Sequence, residues 1–215
     1  QDLAHAEKLC TDAQSENIFL VSDGVFSMDG DAAELSALAR IATSSNTTLM
    51  IDDAHGVGVL GAKGLGSVQA SQLSAEQVPI LIIPAGKALG GQGALILSKQ
   101  IIIQHLIETA RPYLFSTAPA PAMATALSQA LLCLQMQPEH HERLLENIQH
   151  FTKLANAAGL PVLPSQSAIQ PLMVGSNERA LWLAEHMLQK GFWLSAIRPP
   201  TVPAGKARLR ITLTA

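Results

Sequence analysis

Apolar residues fall in short dense runs, set apart by stretches with a helical period. NIFLVS (17–22), TTLMI (47–51), PILII (79–83) and ALIL (94–97) are such runs. Runs of this length with little alternation mark strands buried on both faces. Between the first two, Leu35, Leu38, Ala39 and Ala42 recur with the spacing of one helix face. Asp31, with Glu34 three residues on, has the form of a capping box for that helix. These elements predict an α/β fold, a mostly parallel sheet covered by helices on both faces.

From about residue 99 to 158 the pattern turns helical, divided by Pro112, Pro119 and Pro121. One helix carries Leu144, Ile148, Phe151 and Ala155 on a single face and stops before Gly159. There follow a strand over 168–174, a helix over 177–190 closed by Gly191, a short strand near 193–195 and a last strand over 208–213. Short strands alternating with one helix predict a smaller α+β unit. The expected division is 1–131, part of a large domain, and 132–215, a small incomplete one.

Composition narrows the classes. With 48% hydrophobic and 14% charged residues among 215, the chain can bury a sizeable core. A formal charge of -3, with Lys and Arg scattered, speaks against nucleic acid as a partner. Cys10 and Cys133, far apart, predict neither a disulfide framework nor a metal site. The pair His140-His141 has no evident third ligand. No apolar stretch nears the roughly 20 residues that span a bilayer, and the opening lacks a secretory pattern. A cytoplasmic protein without a membrane partner is expected. The chain opens without Met and closes on ARLRITLTA, a strand entering the core, so a longer parent is expected.

Four segments could carry chemistry. In IDDAHGVGVLGAKGLGS (51–67), Asp52, Asp53 and His55 sit at the carboxyl end of a predicted strand, where open α/β sheets bind ligands. Its G-x-G-x-x-G (Gly56, Gly58, Gly61) would suit a dinucleotide fold. However, Gly64 and Gly66 spoil the helix that should follow, and the acids occupy the place of the pyrophosphate turn. In PAGKALGGQGALIL (84–97), Gly86-Lys87 is no P-loop, because Ala88 offers no hydroxyl for Mg²⁺. Lys87 is then a solvated loop lysine or a desolvated amine nucleophile. VSDGVFSMDGD (21–31) offers Ser27, a turn residue or a hydroxyl contact. In SAIRPPTVPAGKARLRIT (195–212), Arg208 and Arg210 alternate with apolar residues. Each needs an anionic partner, a structural acid or a substrate carboxylate.

DGVFSMDGD (23–31), DDAHGVGVLG (52–61), GKALG (86–90) with Gly93, FSTAPAP (115–121) and IRPPTVPAGKARLRITLTA (197–215) occur in order along nearly the whole chain. Together they resemble the α-oxoamine synthases, a branch of the fold-type I pyridoxal-phosphate enzymes (the aspartate-aminotransferase-like fold). SAIQPLMVG (167–175) and AIRPPTVP (196–203) are most similar to the branch that condenses L-alanine with a pimeloyl thioester, on the way to biotin. Sister branches make 5-aminolevulinate or 2-amino-3-oxobutyrate.

The resemblance implies roles. Lys87 is the covalent anchor of pyridoxal 5'-phosphate and later a general base. Asp52 bonds the pyridine nitrogen and His55 lies near the phenolic oxygen. Ser27 is a further cofactor contact. Ser116 and Thr117 reach the phosphate across a homodimer interface. Thr201 and Arg198 contact substrate, and Arg210 receives the amino-acid carboxylate. The acyl donor is pimeloyl-CoA or a pimeloyl-carrier protein. Two departures stand out. The family has a phosphate-binding threonine where this chain has Pro84, and the family's N-terminal third and extreme C-terminus are absent. A non-catalytic remnant serving as an interaction module is the alternative from another class.

Overall fold

The computed structural model describes residues 2–215. They divide into two compact units. One runs up to Val25 and resumes over Ala33–Pro138; the other comprises Phe26–Ala32 and Glu139–Ala215. The units part beyond the boundary expected near 131, a position that lies inside one continuous helix, Pro121–Met136.

The first unit is built on strands β1 (Phe19–Asp23), β2 (Thr48–Asp52), β3 (Ile80–Pro84) and β4 (Ala94–Ser98), in that spatial order. The apolar runs gave all four to within a residue or two. β1, β2 and β3 are parallel, with Asp23 beside Asp52 and Asp52 beside Ile82 in register. β4 is antiparallel to β3, so the sheet is mostly parallel, as expected. Only residues 85–93 join the two strands, too few for a crossover, so the chain must double back.

One face of this sheet carries Leu49 and Ile51, both fully buried. They pack under helix α2 (Leu35–Ser44) through Leu35, Leu38, Ala39 and Ala42, and α1 (Leu3–Asp12) lies against α2. A second cluster sets Ile83, Ala85 and Leu89 against Leu127 of α6 (Pro121–Met136). The opposite face shows Phe19, Met50, Ile80, Ile82 and Ile96. With Ile101 and Leu106 of α4 (Gln100–Thr109) they line an apolar hollow of about 650 Å³. Between η1 (Ala62–Gly64), α3 (Ser67–Ala70), α4, the short α5 (Arg111–Leu114) and α6, the remaining chain is loop.

The capping box fails. α2 starts at Leu35 with Glu34 at its N-cap and no side-chain cap bond, and Asp31 lies four residues upstream in a turn. The expected cap is lost because residues 26–32 belong to the other unit, so the helix begins only after the chain returns.

The second unit has an antiparallel sheet ordered β5 (Ile169–Gly175), β7 (Ala207–Thr212), β6 (Ser195–Ile197). α8 (Asn177–Gln189) packs on all three strands, and Ser176 caps it by accepting from the Arg179 N–H. α7 (Pro138–Ala157) buries Leu144, Ile148 and Ala155, as its periodicity predicts. No helix among the described residues is long and apolar enough to cross a membrane.

Candidate functional site

In the first unit the candidates cluster where β1, β2 and β3 end. Asp52 closes β2, and its Oδ1 accepts from the Ala54 N–H at 3.0 Å. His55 follows in the same turn, half-buried. Asp23 closes β1 directly beside Asp52. Burial first, and then the Asp52 charge, lifts the Asp23 carboxyl above the ordinary carboxylate range. Two carboxylates side by side make this sheet edge a receptor for a cation, which suits a protonated pyridine nitrogen.

Asp53 holds the turn in place. It is 1% exposed, and its Oδ2 accepts from the Ser67 N–H at 2.8 Å. Its Oδ1 and Ser67 Oγ are buried with no hydrogen-bond partner among the described residues. Burial pushes this carboxyl up as well, and hydrogen bonding from Ser67 offsets part of the shift. Glycines make room for it. A Cβ on Gly24, Gly56 or Gly66 would come within 2.5, 2.0 and 2.3 Å of a carboxylate oxygen of Asp53. Three loops thus close on one buried acid. Sequence reading placed Asp53 next to the site but gave it no role, nor any to Asp23. The signal was there in the glycines that surround the D-D-x-H run.

Lys87 lies in the turn between β3 and β4. The Gly91 N–H donates to the Ala85 carbonyl at 2.8 Å, and the Gly90 N–H to the Lys87 carbonyl at 3.0 Å. Ala85 and Leu89 turn into the α6 cluster, which leaves Lys87 between them facing outward and exposed. Among the described residues, Lys87 is exposed and not enclosed by apolar neighbours. Pro84 ends β3 opposite Ala94 and brings neither hydroxyl nor N–H. Ser116 and Thr117 are exposed beyond α5, beside the 78% exposed Phe115.

The other candidates belong to the second unit. Ser27 sits half-buried in the turn 26–32. Arg198 and Thr201 are exposed on the β6–β7 connection, where the Thr201 N–H donates to the Arg198 carbonyl at 3.0 Å. Arg210 is half-buried on the central strand β7, level with Pro171 and Ser195. Arg208 is buried and paired with Asp29. For Arg208 the structural acid is thus the answer.

The model of the family "Aminotransferase class I and II" matches residues 1–215. The chain belongs to this family. Among its curated relatives are proteins named 8-amino-7-oxononanoate synthase. Those of Chromohalobacter salexigens, Methylococcus capsulatus and Hydrogenovibrio crunogenus are 46%, 44% and 43% identical over 100% of this chain and 56%, 55% and 54% of theirs. The chain therefore spans about half the length of the curated relatives it matches. A solved 8-amino-7-oxononanoate synthase from Francisella tularensis is 31% identical, with a TM-score of 0.83 over 97% of this chain and 60% of that one. A serine palmitoyltransferase solved with PLP is 26% identical, with a TM-score of 0.91 over 98% and 54%. This aminotransferase-family chain has the fold-type I architecture, a mostly parallel sheet followed by a small α+β unit.

Proposed function

We propose that the full-length protein is a pyridoxal-phosphate-dependent acyltransferase that joins L-alanine to a pimeloyl thioester, releasing CO₂ and the thiol to give 8-amino-7-oxononanoate. What carries this reading is the 43–46% identity to curated synthases of that name along the whole chain. The residues present fit the cofactor at one end in particular. Asp23 and Asp52 form an anionic edge for a ring cation. When bound, the cofactor supplies an electron sink for the substrate carbon.

The chain's own residues supply the rest. Asp52 would hold a proton on the ring nitrogen, and His55, in the same turn, would hydrogen-bond the phenolic oxygen. Lys87 would hold the cofactor through its amine, and that amine would serve as the general base for the Cα proton. Arg210 receives the alanine carboxylate in a charge-assisted fork. Arg198 and Thr201, joined through their backbone on one turn, contact the substrate, and Ser27 contacts the cofactor. The exposed 115–121 stretch supports a homodimer in which Ser116 and Thr117 reach the partner's phosphate. We place the enzyme in the cytoplasm.

Borohydride reduction of the cofactor-loaded full-length protein, followed by peptide mass mapping, tests the assignment. A pyridoxyl adduct is expected on Lys87 and is lost in Lys87→Ala; an unmodified Lys87 peptide sinks it. Product analysis with alanine or glycine, and with CoA or carrier-protein thioesters, fixes the substrates. Pro84, without a hydroxyl for the phosphate, favours a second reading, a non-catalytic remnant of the fold. Addition of pyridoxal phosphate separates the two, since a remnant develops no visible absorbance band.

A further inference from the structure

Residues Phe26–Ala32 leave the unit that holds Lys87 and join the other. The excursion is short and heavily anchored. Within it the Gly30 N–H donates to the Phe26 carbonyl at 2.8 Å, and the Phe26 N–H to the Asp31 carbonyl at 2.9 Å. The Gly30 carbonyl accepts from Ser165 Oγ at 2.8 Å and from Ser167 Oγ at 3.0 Å. Gly30 has φ +67°, and a Cβ there would lie 2.4 Å from the Ile169 carbonyl oxygen, so the turn rests directly on β5. From β7, Arg208 donates to the Met28 carbonyl at 3.4 Å and pairs with the Asp29 carboxylate.

Arg208 is 4% exposed, while Asp29 is 47% exposed at its side chain. A guanidinium is costly to bury unless its donors are met. Apart from the Lys206 carbonyl on its own chain segment, the partners of Arg208 lie on the 26–32 turn, about 180 positions away in sequence. On β7 Arg208 shares a face with Arg210, while the buried Leu209 between them points to the other.

We infer that Arg208 is a positioning residue. Together with Asp29 it latches the segment carrying Ser27 onto the unit that carries Thr201 and Arg210. Ser27 therefore belongs to the same unit as the proposed substrate arginine, and Lys87 to the other. The functional part rests on the cofactor role proposed above for Ser27. Loosening the latch should disturb the Ser27 contact while leaving attachment at Lys87 in place.

The test compares Arg208→Met, Arg208→Lys, Asp29→Asn and Ser27→Ala in the full-length protein loaded with pyridoxal phosphate. Hydrogen exchange should quicken by about tenfold or more at the amides of 26–32 in Arg208→Met, with β5 and β7 unchanged. The visible cofactor band should shift in the direction Ser27→Ala shifts it. Adding Ser27→Ala to Arg208→Met should change it little further, because the two act through one contact. Arg208→Lys should recover part of both signals. Exchange that rises uniformly through β5 and β7, or nowhere, overturns the latch. So does a wild-type band in Arg208→Met when Ser27→Ala moves it. A band that Ser27→Ala leaves unmoved removes the Ser27 role alone, and the exchange arm still decides the latch. Should Arg208→Met fail to fold, Asp29→Asn, altered at a half-exposed carboxylate, carries the same comparison.

Discussion

Arg208 and Arg210 stand two positions apart on β7, and burial separates their chemistry. Arg208 is committed to Asp29, whereas Arg210 is half-buried and is the one proposed to meet a carboxylate. Charge-assisted bonds are worth about 1.5–3 kcal/mol each. Arg210→Met should therefore raise the KM for alanine about 10- to 100-fold with a smaller change in kcat, as steady-state kinetics of the full-length protein would show. Asp53 makes a prediction about pH. Burial raises its folded-state carboxyl above 3.8, so the folded chain keeps that proton to higher pH than the unfolded chain does. The resulting stability is full below the unfolded value and is lost as pH rises through the folded one; Asp23 acts with the same sign. Asp53→Asn removes the titration. Denaturant midpoints against pH should fall across the mildly acidic range more steeply in the wild type than in the variant.

At the scale of elements, the strand-end loops are set by what fits around one carboxylate. A methyl on Gly56 would come 2.0 Å from Asp53 Oδ1 and 3.0 Å from the Ser67 backbone nitrogen. Gly56→Ala should cost about 1–3 kcal/mol of stability, the usual range for overpacking. Gly86, whose nearest neighbour to such a methyl is 3.9 Å away, is the control, and Gly86→Ala should unfold with the wild type in a thermal melt. The strands were legible as short, dense apolar runs and the long helices as apolar residues repeating with a period of 3.6. The Asp31 cap does not form because a capping box is a local pattern, while residues 26–32 are held by Ser165, Ser167 and Arg208 far along the chain. The direction of β4 was readable from the short 85–93 connection alone, although its apolar run looks like that of its parallel neighbours.

At the scale of the whole molecule, the proposed dimer can be tested by complementation. If Ser116 and Thr117 serve the partner's cofactor, Lys87→Ala and the double variant Ser116→Ala/Thr117→Ala should each be inactive alone. Mixed, half of the dimers pair unlike subunits, and each of these has one intact of two sites. About a quarter of wild-type activity should return on co-refolding, as expected for a symmetric dimer whose sites span the interface. Sites confined to single subunits would give no gain.

The sequence by itself determined the periodic elements, the family, and which residues are candidates, because these depend on side-chain type and spacing. D-D-x-H, G-K-A-L-G and the final R-L-R are all in the linear text. Tertiary structure decided how those residues are held. It drew Ala85 and Leu89 into the core on either side of an exposed Lys87. It made Asp53 the buried anchor of three loops and assigned Ser27 to the unit of Arg210. It also gave Arg208 to Asp29, since a buried charge takes the partner that folding brings within reach, however distant in sequence.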